Sequence, residues 1–355
     1  MTPYETVYVL YPRGSRTGGP EALHQLVHTL RGVGQDAYLV PLAATAGAER
    51  VQEYAHYDAP ERATIRDEPG CAVVASETAV RRLSMARQAT RICWWLSVDN
   101  SPLFAAAREK TYMNDPGARA RLLRTARAGR GLVYRTALRQ PGWRGMVHLA
   151  QSHYAWNFVF DHLDVAPALV TDYTPVGHLD AFAKKPMRDR GLTVAYNPKK
   201  GGRLVEELIR AGAPHDFTPL SGMSRDEVFR TLCGSAVYLD AGHHPGKDRM
   251  PREAALAGAV TLVARRGSAA NSRDVPIPWE HKIDMSGDAV RSARARLDDV
   301  FGALEDHKGR QSRYERFIRG EQGRFEREVE AFFRQGKVGS DLAGDSLAEP
   351  WSEEG

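Results

Sequence analysis

The chain has 355 residues, of which 42% are apolar and 26% charged, and a formal net charge of +5. That length supports two domains with full cores, and the composition is that of an ordinary globular protein. The three cysteines, Cys71, Cys93 and Cys233, form no CxxC pair, which argues against a disulfide framework and a cysteine zinc site.

The basic balance suits an anionic ligand, a membrane surface or nucleic acid, with a solvated face of mixed charge as the simpler account. The amino terminus, MTPYETVYVLYPRG, has no basic segment followed by a long apolar one, so no signal peptide is expected. No apolar run reaches membrane-spanning length, and a cytoplasmic location is expected.

Taken in order, the chain alternates strands and helices. Val7–Tyr11 reads as a buried strand, followed by a glycine-rich turn at 14–20 and a helix from Glu21 to about Arg31. Leu23, Leu26, Val27 and Leu30 give that helix its apolar stripe. Strands are expected at Ala37–Val40, Ala72–Ala75 and Arg91–Val98, with a helix from Thr78 to about Arg87 and weaker strands at Leu132–Tyr134 and Val147–Ala150.

The second half repeats the plan. Strands are expected at Thr193–Tyr196, Phe217–Leu220, Ala236–Leu239 and Val260–Val263, with helices at Arg203–Ala211, from Ser224 to about Leu232 and at Arg252–Ala257. Ser224 and Glu227 have the spacing of a capping box. Strands separated by helices imply parallel sheets with right-handed crossovers. Residues 172–191 read as a linker, 289–335 as a charged helical region, and 336–355 as a polar, disordered tail.

Two segments have the order strand, polar loop, helix start, which presents backbone amides and a positive dipole end to an anion. One is VAYNPKKGG at Val194–Gly202. The other is VYLDAGHHPGKDRMPREAALAG at Val237–Gly258, whose helix opens with Pro251, Arg252 and Glu253. Together they suggest a bound nucleotide diphosphate. Lys199 and Lys200 alone fit a solvated turn; their place after Tyr-Asn-Pro and before Gly-Gly at a strand end favours the diphosphate.

Four segments, TGGPEALHQL at Thr17–Leu26, LAQSHYA at Leu149–Ala155, VAYNPKKGG and HPGKDRMPREAALAG, carry a resemblance that extends roughly from Val7 to Asp284. The chain resembles the nucleotide-sugar glycosyltransferases of the GT-B kind, most closely the large retaining group related to glycogen and sucrose synthases and bacterial polysaccharide transferases. The resemblance implies an α/β fold of two Rossmann-like domains facing across a cleft. It places an acceptor-binding domain at 1–175, a nucleotide-sugar-binding domain at 190–288, and a helical region at 289–335 that packs back on both.

It also implies a nucleotide-diphosphate sugar as donor, a saccharide or small-molecule acceptor, and no cofactor. Lys200 fits the lysine that holds the diphosphate, and Glu253 the glutamate that binds the ribose. The group's first loop glutamate would fall at Pro245, and its arginine before the lysine is absent. His243, His244, Gly246, Lys247, Asp248 and Arg249 are then left to contact the sugar, while Asn197 and Lys199 join Lys200 at the phosphates. No DxD motif occurs anywhere, so two lysines and helix-start amides stand in for a metal ion.

In the first half, Gly18 and Gly19 form either a phosphate-approaching loop or a plain turn. Asp99, after the Trp-rich strand, reads as a catalytic group at the acceptor or as a turn residue. His153 and Trp95 are candidate acceptor contacts, although Trp94, Trp95 and Trp156 equally suit a core. Arg265, Arg266 and residues 268–271 either close over the nucleotide or form a solvated loop. His24 and His28 lack the glutamate of a zinc helix, and Gly32-Val33-Gly34 follows a helix rather than a strand, so neither is taken as a site. Three alternatives stand beside glycosyl transfer to a hydroxyl: transfer to a nucleic-acid base, a nucleotide-sugar epimerase or phosphorylase, and a non-catalytic binding protein with a decayed site.

Overall fold

The computed structural model describes residues 4–101, 145–177 and 179–336. The chain divides into two units, one of residues 1–172 with 324–355 and one of residues 173–323. Each is built on one parallel sheet.

The first unit holds strands β1 Thr6–Tyr11, β2 Asp36–Pro41, β3 Cys71–Ser76, β4 Thr90–Trp95, β5 Val147–Ala150 and β6 Ala168–Leu169. Their order is β2-β1-β3-β4-β5-β6, and every pair is parallel. Six consecutive residues of β1 and of β3 are buried, as expected of strands covered on both faces. Tyr8, Leu10, Val73, Trp95, Val80 and Leu83 share one core cluster.

Helix α1 spans Gly18–Gly32. It therefore begins three residues before the expected Glu21, and Gly18 and Gly19 form its first turn rather than a free loop. The helix expected at Thr78–Arg87 is instead a 3-10 run, Glu77–Met85. Two local interactions hold its start away from α geometry: Ser76 Oγ lies 2.8 Å from Thr78 Oγ1, and Glu77 Oε2 accepts from the Leu96 amide at 2.8 Å. The latter bond also ends β4 at Trp95, short of the expected Val98. Between β2 and β3 the chain forms two 3-10 turns, Ala43–Thr45 and Gln52–Tyr54, and a single bridge of Glu61 to Leu39, but no α-helix. Helix α2, His153–Leu163, is capped by Ser152, whose side chain accepts from Ala155 N. The strand expected at Leu132–Tyr134 lies outside the described residues.

The second unit orders its strands β11-β10-β9-β7-β8: β7 Thr193–Tyr196, β8 Asp216–Pro219, β9 Val237–Asp240, β10 Val260–Ala264 and β11 Lys282–Ile283. Helix α3, Pro198–Arg210, follows β7; α4, Arg225–Gly234, precedes β9; and α5, Arg249–Leu256, follows it. The capping box of Ser224 and Glu227 is present. α3 starts earlier than expected because Asn197 caps it and Pro198 supplies its first helical residue, so Lys199 and Lys200 belong to the helix and not to a turn.

The charged C-terminal region folds as α6 Ala289–Gly302, α7 Leu304–Arg310, α8 Ser312–Arg319 and α9 Glu321–Phe333. The division between the units falls inside α9. Within the first unit, the α9 ring of Phe325 stacks on Trp94, and Phe333 lies beside Tyr4. Of the expected disordered tail, all but Gly336 lies outside the described residues.

Candidate functional site

In the second unit the chain leaves β7 for β8 on one side, while β9 pairs with β7 on the other. This change of direction makes β7 and β9 the switch point of the sheet, where loops at the strand C-termini part and leave a crevice for a ligand. Both anion-ready segments open from these two strands.

At the end of β7, the Asn197 carboxamide oxygen accepts from Lys199 N at 3.0 Å. This cap points the first turn of α3 at the loop that follows β9. The approach is close. A Cβ on Gly242 would stand 2.5 Å from the Lys200 Cβ, and one on Gly201 would stand 3.2 Å from Ala241 N. Only glycine at 242 allows the two segments to meet at this distance.

The polar groups at this junction form one chain. The Lys200 ammonium pairs with Asp248. His244 is fully enclosed, with Nδ1 2.8 Å from Asp248 Oδ2 and Nε2 3.5 Å from Asp240 Oδ1. Asp240 accepts in turn from the Gly242 amide and the Tyr238 hydroxyl, each at 3.0 Å. Burial pushes the His244 imidazole down, but the flanking Asp240 and Asp248 outweigh it and raise its pKa above the usual value. Loss of water would raise Asp248, yet His244 and Lys200 hold it well below the ordinary carboxylate range. Asp248 thus lies between the Lys200 ammonium and His244, with Asp240 on the other side of the ring.

A second loop braces the first. Ser268 donates from its amide to His244 O at 2.9 Å and from its hydroxyl to Gly246 O at 2.6 Å. Gly267 has φ +57°, and a Cβ there would lie 2.0 Å from the His244 carbonyl oxygen. Arg265, expected either over the nucleotide or in solvent, pairs with Asp284 at 2.7 Å and lies over the exposed Trp279 ring.

Several expected contacts are held elsewhere. Lys247, assigned to the sugar, is buried with Nζ 2.9 Å from Glu321 Oε1, so it braces the loop. Glu321 also accepts from Arg252 Nη1 at 2.9 Å, and Arg252 Nη2 donates to Lys247 O. Glu253, matched to the ribose, is enclosed, with Arg225 at 3.6 Å and Arg249 at 3.9 Å. His243 and Pro245 are partly exposed, and Gly246 is buried.

In the first unit, Trp95 is not available for acceptor stacking: it is wholly enclosed in the core, its indole N–H donating to His148 Nδ1 at 3.1 Å. Asp99 lies in a 3-10 turn past β4 and accepts from the Tyr154 hydroxyl at 2.9 Å. His153, next to Tyr154, is the first residue of α2. The fold therefore brings the ends of β4 and β5 together with Asp99 and His153. Asp240, Glu321 and Glu77 escaped the sequence reading. An acid at a strand end could have marked Asp240, whereas nothing local ties Glu321 to a loop so far back in the chain.

Among the described residues, Asp240, His244 and Asp248 form the one group whose ligand atoms, all within 4.8 Å, could hold a metal ion. The Lys200 ammonium already places a positive charge on that group. No helix of the described residues is long and apolar enough to cross a membrane.

No protein-family model matches the sequence, and no curated protein matches it either. The fold does have matches. Sucrose-phosphate synthase from Thermosynechococcus elongatus superposes with a TM-score of 0.55 at 10% identity, covering 96% of this chain and 97% of the other. HepE from Anabaena, in complex with UDP-glucose, gives 0.54 at 10% identity, covering 97% and 99%. The chain has the GT-B fold of nucleotide-sugar glycosyltransferases, with two Rossmann-like units.

Proposed function

We propose that the chain transfers a glycosyl group from a nucleoside-diphosphate sugar to an acceptor hydroxyl. The observation that carries this reading is the junction of Lys200 with Asp248 and His244 at the β7/β9 switch point. When the glycosidic bond to the diphosphate breaks, negative charge grows on the leaving oxygen. A fixed ammonium, with the positive end of the α3 dipole beside it, can stabilise it there without a metal ion. Asp248 keeps Lys200 extended before the donor arrives, and His244 stays against Asp248 once Lys200 turns to phosphate.

Asn197 and Lys199 join Lys200 at the diphosphate. Gly246, Asp248 and Arg249 surround the sugar, with the enclosed His244 behind Asp248, and Glu253 reaches the ribose when Arg225 and Arg249 release it. Gly18 and Gly19, at the start of α1, approach the phosphates. Asp99 and His153 hold the acceptor hydroxyl, with retention as the expected outcome. The protein is expected to act in the cytoplasm. UDP-glucose, the ligand of the HepE structure, is the first donor to test.

Thermal-shift titration with UDP-, GDP-, ADP- and TDP-sugars identifies the donor through stabilisation of the native state. Lys200→Ala is expected to weaken donor binding and lower the release of free nucleoside diphosphate by about a hundredfold. Full turnover and donor affinity in that variant would remove the assignment. A donor that binds without ever being cleaved would favour a non-catalytic binding protein.

A further inference from the structure

The first unit contains a groove of about 820 Å³ that none of the donor-site residues line. It opens at the C-terminal ends of β1 and β2, beside Leu10, Val40 and Leu42. It exists because no α-helix covers this part of the sheet: the β2-to-β3 connection makes two 3-10 turns and a single bridge of Glu61 to Leu39, and the Glu77–Met85 run closes the opposite side.

Its lining combines two chemistries. The floor is aliphatic and continues to Met85 at the lip, which is 50% exposed. The rim carries four arginines against one carboxylate, Glu61. Arg13 pairs with Glu61 and donates to Ala46 O, so that carboxylate is already neutralised. Arg62 lies over the Tyr38 ring and donates to its hydroxyl. Arg81 and Arg82 are exposed and have no carboxylate partner among the described residues; Glu77, one turn before Arg81, faces inward to Leu96.

We propose that this groove binds a lipid carrying a phosphate, with the arginines on the phosphate and the first part of the aliphatic chain along Leu10, Val40, Leu42 and Met85. Guanidinium forks match phosphate oxygens, and an aliphatic floor excludes water from the chain. The volume lies within the range of about 300–1,000 Å³ typical of small-ligand sites. Single-stranded nucleic acid needs rings on which bases stack, and no aromatic residue lines the groove. The proposal goes beyond glycosyl transfer and does not depend on it, since the ligand is read without any donor.

The test is calorimetric titration of the full chain with monododecyl phosphate below its micelle concentration, beside inorganic phosphate and the uncharged dodecyl maltoside. Monododecyl phosphate is expected to bind at least about tenfold tighter than either control. The double variant Arg81→Glu, Arg82→Glu should lose at least that factor, and Met85→Glu most of it. Flotation with vesicles of phosphatidylcholine alone or with phosphatidylglycerol should show capture by the anionic vesicles only, lost in the double variant. Equal binding of inorganic phosphate would make this a plain anion site and overturn the proposal. So would equal binding of the maltoside, unchanged binding in the double variant, or preferential capture of an oligonucleotide by the same arginines.

Discussion

The imidazole of His244 stands 2.8 Å from the carboxylate of Asp248, inside a protein that leaves the ring no exposure. The pair has a signature in pH. The pKa of His244 is raised in the fold, so the stabilisation from its charged form is complete below the unfolded value near 6.5 and is lost as pH rises through the folded value. The melting temperature of the wild type should fall over that rise, and His244→Gln should flatten the fall. Parallel curves for the two proteins would show that the pair does not control it.

Glu77 gives a second, separable pH effect. Burial pushes its carboxyl up to about 7, against the three backbone amides that favour the charged form. A raised acid is held best when protonated, so stability declines as pH climbs from the unfolded value near 4.5 to about 7. Glu77→Gln keeps an acceptor for Leu96 N and removes the charge. It should be neutral near pH 4 and more stable than wild type by up to about 3 kcal/mol at pH 8, measured by urea denaturation at both values.

Glu321 sits between two buried cations, Lys247 and Arg252. Removing it takes a buried carboxylate away from both. Glu321→Ala is expected to cost about 3–5 kcal/mol of stability, the range for breaking one partner of a buried pair. Glu321→Gln, which retains an acceptor, should cost less. Chemical denaturation of the two variants side by side checks the order.

Gly242→Ala tests the close approach of α3 to the β9 loop. The added methyl meets the Lys200 Cβ at 2.5 Å and the Lys200 carbonyl oxygen at 2.9 Å. One segment must move, at a cost of about 1–3 kcal/mol. Because the displaced residue is Lys200, donor affinity should fall about tenfold, while Gly212→Ala, at a positive φ but with nothing near it, costs stability alone. Donor titration by thermal shift distinguishes them.

The alternation of buried strands and amphipathic helices was legible because periodicity is a local property: Val7–Tyr11, Thr193–Tyr196 and Ser224 with Glu227 each announce their element within a few residues. The two anion-ready segments were legible for the same reason. What stayed hidden depends on partners distant in sequence. Asp248 lowers its own cap role by binding Lys200, 48 residues before it, and Lys247 turns from the sugar because Glu321 neutralises it from a helix far along the chain. Trp95 shows the same limit, since only the packed sheet reveals that its ring has no free face.

The first unit takes its sheet from residues before 173 and its closing helix segment from residues after 323. During synthesis, the sheet of β1 to β6 must leave the ribosome and wait while the whole second unit is translated. Only then do Phe325, Val329, Phe332 and Phe333, all buried, become available to complete the first core. The middle of the chain can finish folding before its beginning does. A nascent chain arrested before Arg324 would therefore carry a complete second unit and an open first one, the form in which chaperones would meet it.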